Sequence, residues 1–429
     1  MRYIPLDNSI YKRNRLNFMD QMKGNCMAIF NSNDIYPVSA DSELPFAQHR
    51  DMFHLAGIDQ EETILILYPS SKDSKTREIL FIRRSDEHTK IWEGDKLSKG
   101  LASKLSGIES IHFVEDFKNI LHLITSKVDT FYINKNEHYR ANSPVETRED
   151  RFISWLLKKY PAHKVAKSNP ILQRLRSIKH IDEIDQIRKA CQITKKGFNR
   201  VLKFIKPDVW EYQIEAEFIH EFINNSSKGF AYSPIIASGQ DNNVLHYVKN
   251  NKQCKDGELI LMDVGAEYGN YSSDMTRTIP VSGHFSKRQK EIYNTVLRVK
   301  NEATKLLTVG NNWKNFHDQV GEIMTKELLD INLLDKADIK NQTKKNPAYK
   351  KYFMHGTSHH LGLDTHDYGL LDDLFQENMV FTVEPGIYIP EEGFGVRLED
   401  DVVIQTKGEP INLMEDIPIE TDHIEELMN

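Results

Sequence analysis

Four carboxylates and one imidazole stand where charge is costly. Asp263, Asp274, His359, Glu384 and Glu399 each close an apolar or glycine-rich run, in the stretches LILMDVGAEYGNYSSDMTRT, HGTSHHLGLDTHD, FTVEPGIY and GVRLEDDV. A carboxylate that follows Leu-Ile-Leu-Met on a strand is desolvated, and an isolated buried charge is unstable unless a cation compensates it. The four carboxylates together carry about four negative charges, which balances two divalent ions, so the set outlines a two-metal hydrolase.

The spacing of each residue constrains it further. Asp263 and Asp274 are symmetric about Tyr268-Gly269, with Gly269-Asn270 available for a turn. A hairpin centred there sets the two aspartates directly opposite each other, with Cβ atoms about 5 Å apart. Bare carboxylates in that register repel, so the pair needs metals, an Arg partner or a shared proton. An exposed hairpin solubilised by two aspartates has the same spacing, but the apolar run before Asp263 speaks against it. His359 stands among His355, His360 and His366, and crowding alone does not say which of them binds metal. His355 and His359 have i, i+4 spacing, yet Gly356 and Thr357 oppose a helix there. On a strand His359 and His360 point opposite ways, so at most one faces the site. Glu384 precedes the turn pair Pro385-Gly386, which fixes the backbone behind the carboxylate. Glu399 follows Arg397 at period two, which puts a guanidinium beside it on one strand face; a surface ion pair has the same pattern.

The bulk properties narrow the class. A chain of 429 residues with 39% hydrophobic and 28% charged content is long enough for two or three domains with ample core. The balance of 56 basic against 63 acidic residues gives −7, so no global field recruits nucleic acid or an anionic membrane. Cys26, Cys191 and Cys254 are odd in number and far apart, without the spacing of a disulfide framework or a cysteine–zinc site. The start, MRYIPLDNSIYKRNRL, lacks the apolar segment of a signal peptide. No run approaches the roughly 18–20 apolar residues of a membrane span. The default address is cytoplasmic.

The elements that must position the site form two groups. Cys26 to Phe30, Glu62 to Tyr68, Glu78 to Ile82 and Thr130 to Ile133 are short β-type runs, interspersed with helical segments such as Arg151 to Tyr160. The turn PSSKDSKT makes the second and third of them a hairpin. This predicts an N-terminal α/β domain over residues 1–172, with a boundary near Asn169-Pro170. From Ile178 to Ile205 apolar residues recur at helical spacing, with Ser177 as candidate cap and Pro207 as stop. A second helix follows from an Asp208-to-Glu211 capping pattern, a third opens on the Ser286-to-Gln289 box, and a fourth carries Phe316, Val320, Ile323 and Leu328. Each helix pair precedes β-rich sequence, so residues 173–429 read as an internally duplicated α+β domain. The six lysines between Lys336 and Lys351 mark a solvated surface loop.

At this point the residues resemble a known family. NNVLHYVKN, LILMDVGAEYGNYSSDMTRTIPVSGHFSKRQKEIY, HGTSHHLGLDTHD, VEPGIYIP and GVRLEDDVV, in this order, are similar to the pita-bread metallopeptidases, and specifically to the Xaa-Pro aminopeptidases (aminopeptidase P). FAQHRDMFHLAGIDQEETILIL resembles their N-terminal domain. The resemblance implies that Asp263 chelates one metal, that Asp274 and Glu399 bridge two, and that His359 and Glu384 complete the other. An oxygen-rich, thiolate-free set suits Mn²⁺ and admits Co²⁺, Fe²⁺ or Zn²⁺. It further implies a metal-activated water as nucleophile, Glu384 handling its proton, and His246 and His366 assisting the tetrahedral intermediate and the leaving nitrogen. His355, Tyr388 and Arg397 match groups on the proline side of the site. Asp51 matches a residue that can approach a neighbouring subunit, although a plain surface role fits it equally. His360, where relatives often carry Trp, reads as a packing change, and Lys96 replaces a common Arg.

The implied activity is release of the first residue from peptides with proline second. The implied assembly is a homodimer or homotetramer. The rivals are a prolidase, disfavoured by HGTSH in place of HGLGH, and a pita-bread binding module or creatinase-like enzyme without the metals, disfavoured because all five ligands are present.

Overall fold

The computed structural model describes residues 2–141 and 143–429. The chain forms two compact units, Pro5–Arg176 and Ser177–Asn429, the second also taking in residues 2–4. Asn169-Pro170 does not break the chain. It opens the helix Asn169–Ser177, with Pro170 in the first turn, where a missing N–H leaves no bond unmade. Ile171 and Leu172 pack into the first unit's core, so that unit runs on through the helix to Arg176, past residue 172.

The first unit is built on a six-stranded mixed sheet in the order Ser110–Phe113, Glu78–Ile82, Ile64–Leu67, Cys26–Asn31, Thr130–Ile133, Lys164–Lys167. The runs read as a hairpin are indeed antiparallel neighbours, Leu65 facing Leu80. Alternation along the central strand feeds two cores: Cys26, Ala28 and Phe30 pack on one face, Met27 and Ile29 on the other. Burial on both faces explains why these strands are continuously apolar rather than alternating. Asp51 lies inside this unit and is not a surface residue. It is 1% exposed and accepts from Arg176 at 2.8 Å and Asn134 at 3.0 Å.

The second unit repeats one plan. The helices Ile181–Phe204 and Glu211–Asn224 precede a sheet of Ile235–Ser238, Leu259–Val264 and Met275–Pro280. The helices Lys287–Leu306 and Trp313–Asp330 precede a sheet of Val380–Val383, Asp400–Val403 and Ile411–Asn412. Two helix starts differ from their sequence signals. Ser177 still belongs to the preceding helix, and the cap is His180, paired reciprocally with Glu183. Asp208 sits at φ 73, a conformation that cannot begin a helix, and Trp210 takes the position, its N–H donating to Gln213 Oε1 at 2.9 Å. The Ser286–Gln289 capping box forms as its spacing predicts. The lysine-rich stretch is a short helix, Lys336–Asn341, and a single 3-10 turn, Ala348–Lys351, with no buried residue. No helix among the described residues is long and apolar enough to cross a membrane.

Candidate metal centre

The carboxylates sit where β-pairing runs out. In the first sheet Asp263 faces Thr276 and Val264 faces Met275, so Asp274 lies one step beyond the last pair. The hairpin is therefore centred on Gly269-Asn270, both at positive φ, and not on Tyr268-Gly269. This type I′ geometry is what Gly-Asn favours. The aspartates are diagonal neighbours rather than directly opposed. In the second sheet Val383 faces Asp400, which leaves Glu384 and Glu399 at the matching open ends of the two strands. The Glu399 N–H donates to the Thr276 carbonyl at 3.0 Å and joins the two half-sites.

His359 is delivered by an extended segment alongside Val380–Val383. The Glu384 N–H donates to Thr357 O at 2.8 Å, Thr382 N–H to His359 O at 3.0 Å, and Leu361 N–H to Val380 O at 3.0 Å. Alternation then turns His360 to the other side, where its ring packs on Phe381 and Trp313 at centroid distances of 4.5 and 5.5 Å. The His359 Nδ1 meets the His360 carbonyl at 2.9 Å. A carbonyl only accepts, so Nδ1 carries the proton and Nε2 presents a lone pair. That lone pair points among carboxylates, 3.5 Å from Asp274 Oδ2 and 3.8 Å from Glu384 Oε1.

Donor atoms of Asp274, His359 and Glu399 all lie within 4.8 Å of one another, a spacing that can close around one cation. Burial pushes the carboxyls of Asp274 and Glu399 well above the usual range, and the neighbouring acids push them further. Glu384 rises to about 7, again chiefly by burial, with His359 and Arg397 opposing. The Tyr232 hydroxyl lies 2.6 Å from Asp263 Oδ1 and 2.5 Å from Asp274 Oδ1. The one hydroxyl thus bridges the two carboxyls. A buried cluster of acids whose burial disfavours their charge, with an imidazole lone pair aimed into it, fits divalent cations.

Arg397 does not pair with Glu399, the neighbour its period-two spacing indicated. Its Nη2 donates to Asp263 Oδ2 at 2.6 Å, its Nη1 to the Tyr388 hydroxyl at 3.0 Å and its Nε to Thr276 Oγ1 at 3.2 Å. Thr276 in turn donates to Glu399 Oε2 at 2.6 Å. The Tyr388 ring has room because it lies over two glycines; a Cβ at Gly386 or Gly395 would come within 2.7 Å of it. The Tyr388 hydroxyl donates to His355 Nε2 at 2.7 Å, while His355 Nδ1 donates to Gly356 O at 2.7 Å. Burial and then the Arg397 charge depress His355 to about 3, so it stays neutral with both nitrogens engaged. His246 and His366 are the exposed imidazoles. His246 is near enough for its charge to act on His355, and the His366 ring stands edge-on to His359 with centroids 4.3 Å apart.

Three supports escaped the sequence reading. They are Tyr232, Thr276 and Arg277, whose guanidinium is fully buried and donates to Glu399 O at 2.7 Å, Thr276 O at 3.0 Å and Asp400 Oδ1 at 2.6 Å. Lys300 closes the same Asp400 carboxylate. The pair DMTRT and LEDD was the available signal, since a strand-interior Arg requires a buried acid.

Residues 185–406 match the model of metallopeptidase family M24, and residues 11–132 match the aminopeptidase P N-terminal domain. The chain belongs to metallopeptidase family M24. The Xaa-Pro aminopeptidase of Escherichia coli is 32% identical and covers 97% of both chains. Xaa-Pro aminopeptidase 3 of Homo sapiens is 32% identical over 92% of this chain and 79% of its own. Among solved structures, zinc-substituted Escherichia coli aminopeptidase P in complex with product superimposes with a TM-score of 0.89 at 30% identity, covering 99% of each chain. Proline aminopeptidase P II of Yersinia pestis gives the same values. The M24 match spans all five carboxylate and imidazole donors, and the two-part architecture of this chain is that of aminopeptidase P.

Proposed function

We propose that this M24 enzyme is a dinuclear-metal aminopeptidase that cleaves the bond between the first residue and a second-position proline. The observation that carries the reading is the buried donor cluster of Asp274, His359 and Glu399, flanked by Asp263 and Glu384, in a chain matched along its length by Xaa-Pro aminopeptidases. Asp263, Asp274, His359, Glu384 and Glu399 would hold two divalent ions. Four oxygen ligands and one nitrogen favour Mn²⁺, with Co²⁺, Fe²⁺ and Zn²⁺ as alternatives. When bound, the ions supply Lewis acidity and lower the pKa of the attacking water.

The chain's own residues then divide the remaining work. Glu384, whose affinity for a proton is raised and whose side chain is partly open at the site, takes the proton from the attacking water. The Xaa-Pro bond is a tertiary amide, so its nitrogen needs a proton before it can leave. We assign this delivery to His246 and His366, which are exposed, His366 lying edge-on to His359; both ring nitrogens of His355 are hydrogen-bonded within the protein. Arg397, Tyr388 and His355 form one relay of hydrogen bonds that fixes the wall proposed to receive the proline.

Metal-loaded protein supplied with an Xaa-Pro-Yaa tripeptide and an Xaa-Pro dipeptide decides the substrate class. Release of the first residue from the tripeptide is expected; cleavage of the dipeptide alone would replace the reading with a prolidase. Asp274→Ala should abolish turnover and lower the bound metal, and retained activity would overturn the two-metal assignment.

A further inference from the structure

His366 is exposed at the edge of the site, edge-on to His359, on a backbone loop that is held from beneath. Its chain neighbour is the opposite kind of residue. Asp367 is buried, and its Oδ2 accepts from Lys179 Nζ at 3.0 Å, the two side chains being only 1–2% exposed. Neither lysine nor aspartate enters an interior without a partner.

Both members are anchored by backbone as well. The Lys179 N–H donates to Asn378 O at 3.0 Å, beside the Ile178–Met379 bridge. The Asp367 N–H donates to His360 O at 2.9 Å, and its Oδ1 accepts the Tyr368 N–H at 2.8 Å. Residues 361–366 therefore form a loop closed at its base and pinned to the chain entering the helix Ile181–Phe204. Gly362 permits the arrangement, because a Cβ there would stand 2.1 Å from Asp367 Oδ2 and 2.8 Å from Lys179 Cε.

We infer that the Lys179–Asp367 ion pair is a positioning device for His366, holding the loop that carries this imidazole to the leaving nitrogen. The inference rests on the proposed role of His366 and adds Lys179, whose side chain bonds Asp367 and whose N–H bonds the Asn378 carbonyl. A buried ion pair suits the task, since any other register of the loop leaves a charge without its partner. An apolar contact could slide; this one cannot.

The test compares kcat, KM and bound metal for the metal-loaded full chain and its variants on an Xaa-Pro-Yaa tripeptide. Lys179→Met should lower kcat by about tenfold or more while KM stays within about twofold and bound metal is unchanged. Lys179→Arg should restore most of the loss. In a His366→Ala background Lys179→Met should lower kcat no further, because residues that act as one unit are not additive. An unchanged kcat, an equal loss in both backgrounds, or a loss that tracks missing metal would overturn the inference. If Lys179→Met does not fold, Lys179→Met/Asp367→Asn buries no lone charge and is judged by the same readings. Amide hydrogen exchange over residues 361–368 reads the tether without turnover, and should quicken about tenfold or more in Lys179→Met. A wild-type chain that leaves the tripeptide intact would sink the functional reading instead, and the exchange rates would then decide the tether alone.

Discussion

One hydroxyl separates two carboxylates that would otherwise repel. Tyr232 is 31 residues from Asp263 and 42 from Asp274 in sequence, yet its oxygen is in hydrogen-bond contact with both. Tyr232→Phe keeps the ring and removes the bridge, so metal affinity should fall by about 10- to 100-fold, read by competition with a chelator. The protons of the site give a second prediction. Glu384 is raised from 4.5 to about 7, with Asp274 and Glu399 raised as well. A carboxyl raised in the fold contributes stability that is complete below its unfolded pKa and lost as pH rises through the folded value. Metal must displace those protons, so the rise in Tm on adding Mn²⁺ should be smaller at pH 5.5 than at pH 7.5. An equal rise at both pH values would show that the carboxyls bind metal without losing protons. The five candidate donors stood out in the sequence because charge at the end of an apolar run is conspicuous, and Asp274, His359 and Glu399 do come together. Tyr232 and Thr276 did not stand out, since they are neutral and their partners lie far along the chain: Glu399 is 123 residues from Thr276.

At the scale of elements, the site depends on where strands stop pairing. Sequence symmetry gave a hairpin centred one position too early, because it took the aspartates as the paired residues when the turn itself sets the register. Gly265 lies opposite Asp274 in that register, and a Cβ on it would meet the Ser273 carbonyl oxygen at 1.8 Å. Backbone cannot yield as a side chain can. Gly265→Ala should therefore open the hairpin beneath Asp274, at a cost of about 1–3 kcal/mol, and lower bound metal in proportion. Thermal melting and metal analysis of the same preparation check both effects; a stable variant with full metal would mean that Asp274 does not depend on this crossing. The long amphipathic helices and the β-runs were legible from periodicity. Their caps were less so, since Ser177 and Asp208 have the right chemistry but are held in the wrong backbone conformation by their neighbours.

For the whole molecule, the question is where the first unit ends. Proline after Asn169 reads as punctuation, but Pro170 begins a helix whose Ile171 and Leu172 complete the core of Pro5–Arg176. The last residue of that unit supplies the guanidinium that meets the buried Asp51 carboxylate. Burial is the largest single influence and would raise Asp51, but Arg176, His49 and Asn134 together outweigh it, and the carboxyl is held below its ordinary 3.8. The contribution is therefore present above the unfolded pKa and lost as pH falls through the folded one, so a comparison at pH 7 reads it in full. A fragment of residues 5–176 is expected to unfold cooperatively in urea, since it contains both of its cores. A fragment cut at 172 leaves Asp51 buried without its cation and should be less stable by about 3–5 kcal/mol. Arg176→Met in the longer fragment separates the lost charge from the lost helical turn, and should account for most of that difference. Equal urea midpoints for all three would place the boundary at 172 after all and reduce the Asp51–Arg176 pair to a contact without energetic weight.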